Sequence, residues 1–142
     1  MKLLNGKTLN IIQAPVALGQ TLKGVDEGPE ALLKNGLVQL IESLGWKVKN
    51  ISEINTHELK WNSPEANLPA HQHGINIKFP LELGEACGEI AELTEKSSKN
   101  KEFTLTLGGD HSVAIGSIGG ALLSRPDLGV IWVDAHGDFN SW

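Results

Sequence analysis

The chain has 142 residues, 40% of them hydrophobic and 20% charged, a composition that predicts one globular domain and argues against a disordered chain. Its 12 basic and 17 acidic residues give a net charge of −5, and because the basic residues are scattered, nucleic-acid binding is not expected. No apolar run approaches the roughly 18 residues of a membrane span, and the amino terminus lacks signal-peptide and transit-peptide features. Since Cys87 is the single cysteine, we expect a cytoplasmic protein without disulfides.

Predicted strands and helices alternate from the amino terminus onward. A short strand over 9–15 precedes a glycine-rich passage, and a helix then begins at Pro29 and ends at Gly45, because proline favours the first helical position and glycine the position after the last. A weaker strand signal covers 46–51. The stretch 52–79 has no clear period and is expected to be irregular.

The second half of the chain continues the same alternation. A helix begins at Pro80 and runs to about Lys99, with an acidic start and a basic end that suit the helix dipole. Residues 103–107 predict a strand, 112–123 a helix, and the apolar run 129–133 a strand buried on both faces of a parallel sheet. This order predicts an α/β layered fold with parallel strands and right-handed crossovers.

Two clusters of ligand-type side chains directly follow predicted strands, where open α/β sheets bind their ligands. They are Gly-Gly-Asp-His-Ser at 108–112 and Asp-Ala-His-Gly-Asp at 134–138. If the second cluster stays extended, the side chains of Asp134, His136 and Asp138 project to the same side. A set of nitrogen and oxygen donors without thiolate suits Mn²⁺, and less specifically Zn²⁺ or Co²⁺. Aspartate carboxylates can also bridge two ions.

Each cluster also has a purely structural interpretation. A lone histidine is usually a hydrogen-bonded core residue, and an aspartate after a strand is often only a turn former, but two such clusters on one sheet favour a metal site. Asp110 precedes His111 and is predicted to lie behind the metal ligands and orient one of them. The histidines at 71–73 and His57 are weaker candidates, and Cys87 is expected to be a small core residue.

With Gly24-Val25-Asp26-Glu27-Gly28-Pro29, the two clusters resemble the ureohydrolases, and specifically the arginases. The motifs at 108–112 and 134–138 are shared with agmatinases and formiminoglutamases, whereas the segments 12–15, 114–118 and 125–133 look more particular to arginases. The resemblance covers nearly the whole chain. It implies a single partial arginase-like domain over residues 1–142, a three-layer αβα fold with a mainly parallel sheet that stops after about the fourth strand.

The resemblance also implies a site with two Mn²⁺ ions. His111 would bind one ion and His136 the other, Asp134 would bridge both, and Asp138 would bind the same ion as His111. A hydroxide shared by the ions would attack the guanidinium carbon of L-arginine, yielding ornithine and urea, and Asn140 would hold the amino-acid end of the substrate. Such an enzyme would belong to arginine catabolism and the urea cycle, and would be a homotrimer when complete.

The family domain is longer than this chain and adds an Asp-x-Asp pair, a histidine and a glutamate to the site. The resemblance therefore predicts the amino-terminal half of an arginase, with negligible activity as a separate chain. Two alternatives remain open: a shortened, non-catalytic form that assembles with or modulates full-length subunits, and an agmatinase-like ureohydrolase. The Gly24 to Pro29 motif favours arginase over the second of these.

Overall fold

The structure is a computed structural model that describes residues 6–20, 24–55 and 79–138. In chain order its elements are β1 (Thr8–Ala14), a 3₁₀ turn (Val25–Glu27), α1 (Gly28–Lys34), α2 (Leu37–Ser43), β2 (Lys47–Glu53), α3 (Pro80–Lys99), β3 (Phe103–Gly108) and α4 (Val113–Ser124). Among these helices, none is both long enough and apolar enough to cross a bilayer.

The sheet confirms the expected parallel architecture. Its three strands lie in the order β2-β1-β3, and both neighbours of β1 run parallel to it. Because parallel strands point the same way, their carboxyl ends meet at one edge of the sheet. The loop 15–20 after β1 and the turn 109–112 after β3 therefore lie side by side at that edge.

The two faces of β1 pack against different helices, because successive side chains of a strand point to opposite faces. On one face, Leu9 and Ile11 form a core cluster with Ile41 of α2. On the other face, Ile12 packs in a second cluster with Ile90 of α3. Full burial of such a side chain contributes about 1.5–3 kcal/mol, so both helix layers are held to the sheet. The result is the predicted three-layer αβα arrangement.

The single helix predicted from Pro29 to Gly45 is wrong, because the segment forms two helices, α1 and α2. Gly36 lies between them with a φ of 90°, in the left-handed region that glycine adopts at little cost. Asn35 ends α1, and its side-chain amide donates to the carbonyl of Ala31 at 2.7 Å. The apolar period continues across this break because both helices face the same side of the sheet.

The strand predicted over 129–133 is also wrong for the described residues. The segment has no strand hydrogen bonds, and Ile131 and Val133 are 91% and 93% exposed. A strand buried on both faces needs partner strands at its edges, and the described sheet contains only β1, β2 and β3. No described strand pairs with this apolar segment.

Helix α4 packs closely on α3 through two glycines one turn apart. A Cβ atom on Gly116 would lie 2.5 Å from the carbonyl oxygen of Cys87, and one on Gly120 would lie 2.2 Å from that of Ala91. Real Cβ atoms do not approach so closely, so both positions require glycine. Since α4 begins directly after the turn 109–112, this contact helps to set where that turn lies.

We expect Gly120→Ala to destabilise the chain by about 1–3 kcal/mol, because overpacking forces the helices apart. The matched control is Gly119→Ala on the same helix, where an added Cβ meets nothing within 4 Å. That change should instead stabilise by about 0.5–1 kcal/mol through helix propensity. Urea denaturation of the three proteins measures both effects, and equal stabilities of the two variants would contradict the packing described here.

Candidate metal centre

The turn after β3 is pressed against the loop after β1. A Cβ on Gly109 would lie 2.0 Å from the carbonyl oxygen of Val16, so only glycine fits there. The backbone N–H of Asp110 donates to that same oxygen at 2.8 Å. The next residue, His111, lies on the turn with its side chain 69% exposed, so the turn projects the imidazole into the open space at the carboxyl edge of the sheet.

Both ring nitrogens of His111 face carboxylates from the second cluster. The Nε2 atom lies 3.3 Å from Oδ2 of Asp134, and Nδ1 lies 3.2 Å from Oδ2 of Asp138. One potential ligand atom from each of the three side chains falls within 4.8 Å of the others. Two motifs 20 residues or more apart in sequence thus meet at one point, as the sequence predicted for a shared site.

Asp134 contacts both histidines, one with each carboxylate oxygen. Its Oδ2 faces His111, while its Oδ1 accepts a hydrogen bond from the backbone N–H of His136 at 2.7 Å and lies 3.4 Å from Nδ1 of that residue. The His136 side chain is 83% exposed. Asp134 therefore lies between the two imidazoles, the position a bridging carboxylate would occupy.

The convergence of these side chains has a different cause from the predicted one. The segment 134–138 does not stay extended, because the backbone bends at 135–136 and Asp138 adopts a φ of 50°. Asp138 reaches His111 through this turn, whereas strict alternation along a strand would have placed residues 134, 136 and 138 in a row. Aspartate tolerates the left-handed conformation better than most residues, which suits it to position 138.

The surroundings of Asp134 favour its ionised form. The hydrogen bond from the backbone N–H of His136 is the main cause that lowers the pKa of Asp134, and the nearby imidazoles of His111 and His136 lower it further. A carboxylate binds metal in its deprotonated state. Asp134 is accordingly in the metal-binding state at neutral pH.

A cavity of about 1040 Å³ opens beside the cluster. Its walls include Gly19 from the loop after β1, Ile115 from α4, and Trp132, together with His111 and Asp138. Trp132 presents its ring edge-on to His111, with centroids 6.1 Å apart and an interplanar angle of 85°. Neither Gly19 nor Trp132 was predicted from the sequence to belong to the site. Gly19 could have been assigned to the site only from the position of β1 next to β3 in the sheet.

Asp110 is buried beside two residues that line this cavity, Gly19 and Ser112. Its carboxylate accepts hydrogen bonds from the backbone N–H of Gly19 at 2.7 Å and from that of Ser112 at 2.9 Å, and also from the Ser112 hydroxyl. It therefore joins the loop after β1 to the turn that carries His111.

Cys87 lies under the same turn and is buried. Its thiol donates to the carbonyl of Ser112 at 3.4 Å, and burial raises the pKa of the thiol. A protonated, buried thiol is a weak nucleophile. The other residues singled out from the sequence, Asn140, His57 and the histidines at 71–73, lie outside the described residues.

Comparison with known proteins agrees with the motifs. The family model described as "Arginase family" matches residues 7–142. Arginase-1 of Homo sapiens is 40% identical over 135 residues, which span 95% of this chain and 39% of that protein. Arginase of Eremothecium gossypii is 36% identical over 140 residues, which span 99% of this chain and 34% of that protein.

Solved structures give the same result. The arginase from Bacillus caldovelox superposes with a TM-score of 0.76 at 34% identity, covering 95% of this chain and 43% of the other. That from Bacillus subtilis gives 0.75 at 34% identity, covering 94% and 41%. The chain thus spans well under half the length of the relatives it matches. Its motifs, its αβα fold and the family match over residues 7–142 together show that this chain belongs to the arginase family.

Proposed function

We propose that this chain provides part of a binuclear manganese site that hydrolyses L-arginine to L-ornithine and urea. Part of the support is that its relatives are named arginases and that the family match covers residues 7–142. On the same basis we place the activity in arginine catabolism and the urea cycle, in a homo-oligomer. The composition of the chain, with its one cysteine, favours the cytoplasm.

The arrangement around Asp134 is the observation that carries the proposal. Its two oxygens face different histidines, His111 at 3.3 Å and His136 at 3.4 Å, which is how a carboxylate shared by two ions would be disposed. Asp138 adds a second carboxylate on the His111 side at 3.2 Å. This supports assigning His111, Asp134 and Asp138 to one ion, and His136 with Asp134 to the other.

The donor set fits manganese. Imidazole nitrogens and carboxylate oxygens without thiolate suit Mn²⁺, and the two carboxylates offset the charge of a divalent cation. When bound, such ions activate water at neutral pH and neutralise the charge that develops on the reacting group. Two histidines and two aspartates leave most positions of two octahedral spheres to water or to further ligands, so the four side chains form an incomplete set.

His111 belongs both to the ligand cluster and to the lining of the cavity. Both nitrogens of His111 face carboxylates, and an ion would be held through the lone pair of one of these nitrogens. In the overall reaction, the oxygen of water joins the guanidinium carbon, the bond from that carbon to the chain nitrogen breaks, and the departing amine takes a proton. The open cavity beside His111 and Asp138 gives the guanidinium group access to this point.

The change Asp138→Asn tests the metal assignment without disturbing the backbone, because asparagine also tolerates the φ of 50° found at this position. We expect the stability of the metal-free chain to stay nearly unchanged. At a Mn²⁺ concentration 100 times the wild-type Kd, manganese should stabilise the wild type by about 2.7 kcal/mol. If the variant binds tenfold more weakly, that figure falls to about 1.4 kcal/mol.

Thermal unfolding with and without Mn²⁺ measures both quantities. Asp127→Asn, in the exposed turn after α4, removes the same charge away from the site and should retain the full effect of manganese. A large loss of metal-free stability in Asp138→Asn, with its manganese effect intact, would show that Asp138 is a structural turn residue.

We expect the 142-residue chain alone to release urea from arginine at a negligible rate, since its ligand set is incomplete and no histidine follows Asp138 to move a proton. A chimera of the Bacillus caldovelox arginase, in which this chain replaces the matching segment, should hydrolyse arginine with Mn²⁺ and leave agmatine untouched. His111→Asn should abolish that activity.

A urea-release assay with excess Mn²⁺ measures the chain and the chimera beside the intact Bacillus enzyme. Turnover by the chain alone within about tenfold of the intact enzyme, a barrier difference of about 1.4 kcal/mol, would contradict the expectation that its site is incomplete. A folded chimera that binds no manganese would overturn the proposed function.

A further inference from the structure

We infer that Asp110 is a positioning residue, whose buried carboxylate clamps the loop 15–20 to the turn after β3 and thereby sets the place of His111. The inference that Asp110 also influences metal affinity rests on the proposed function. The clamp itself rests on contacts within the chain.

The Asp110 carboxylate gathers donors from two separate segments. Gly19 donates its backbone N–H from the loop after β1 at 2.7 Å, while Ser112 donates its backbone N–H at 2.9 Å and also its hydroxyl. Asp110 is only 8% exposed, so water competes little for these bonds. Hydrogen bonds from backbone N–H groups to a carboxylate are among the stronger ones in proteins, and the bond from Gly19 spans 91 residues of sequence.

Backbone contacts also hold the loop 15–20 against the turn 109–112, at the joint between these two segments. The N–H of Asp110 donates to the carbonyl of Val16 at 2.8 Å, and Gly109 approaches that carbonyl more closely than any side chain would allow. The main chain thus holds the two segments together at one end of the joint. The Asp110 carboxylate holds them at the other end, beside Gly19.

We expect His111 to depend on this joint because the other described contacts of its side chain come from irregular parts of the chain. Its side chain is 69% exposed, and the two carboxylates that face it come from 134–138, a segment without helix or strand structure. Gly19, the distal donor to the clamp, lines the same cavity as His111 and Asp138. Loosening the clamp should therefore disorder one wall of the cavity and the imidazole together.

The variant Asp110→Asn tests this inference. The amide keeps the size of the carboxylate but turns one oxygen into a donor, so it cannot accept from both Gly19 and Ser112. We expect faster hydrogen exchange at the Gly19 amide and a weaker nuclear Overhauser effect between the His111 and Trp132 rings, both measured by NMR without metal. Mn²⁺ binding, measured by the paramagnetic resonance of the free ion, should weaken about ten- to hundredfold.

Two further variants separate positioning from general stability. Asp127→Asn, in the exposed turn after α4, should leave all three measurements at their wild-type values. Ser112→Ala removes one of three donors and keeps the backbone bonds, so it should give intermediate values. If Asp110→Asn fails to fold, Ser112→Ala takes its place as the test variant.

The outcomes are distinct. Unchanged Mn²⁺ affinity and an unchanged His111–Trp132 effect in Asp110→Asn, or in Ser112→Ala if the first variant is unfolded, would overturn the inference. If the wild type binds no Mn²⁺ but the ring contact weakens in the variant, the clamp stands and the proposed function fails.

Discussion

The site depends on one close approach of two backbones, that of Val16 after β1 and that of Gly109 after β3. A Cβ on Gly109 would lie 2.0 Å from the Val16 carbonyl oxygen, so the contact exists only because that residue is glycine. It is possible because β1 and β3 are parallel neighbours whose carboxyl ends meet at one edge of the sheet. Helix α4 then continues from this joint and packs on α3 through its own glycines.

The contact between Val16 and Gly109 fixes the position of the turn that carries His111, whose side chain is otherwise exposed. His111 projects from it, and Asp134 and Asp138 approach the ring from both sides at 3.3 and 3.2 Å. The backbone N–H of His136 lowers the pKa of Asp134, which favours the ionised carboxylate that a cation would bind. The Asp110 carboxylate instead accepts hydrogen bonds from the backbone N–H groups of Gly19 and Ser112.

The bounds of three elements and the residues of the site could be predicted, because both depend on local sequence. The strands predicted over 9–15 and 103–107, and the helix predicted from the proline and charge pattern of α3, agree with the observed elements to within one or two residues, and the two motifs identified the residues that meet at the site. The break at Gly36 was missed because a glycine within an apolar helical period predicts neither continuation nor a stop.

Features that depend on tertiary neighbours were harder to predict. The apolar run 129–133 predicts burial, yet in the described chain it lies exposed because burial requires partner strands. The approach of Asp138 depends on a turn with φ of 50°, which alternation does not describe. The place of Gly19 at the site depends on strand order, which no local pattern contains.

Whether these side chains hold manganese can be measured by anomalous diffraction from crystals of the chain grown with Mn²⁺. We expect a peak bonded to His111, Asp134 and Asp138, with a second peak between Asp134 and His136 where occupancy permits. A manganese peak elsewhere, with these side chains ordered and in contact only with one another, would contradict this expectation.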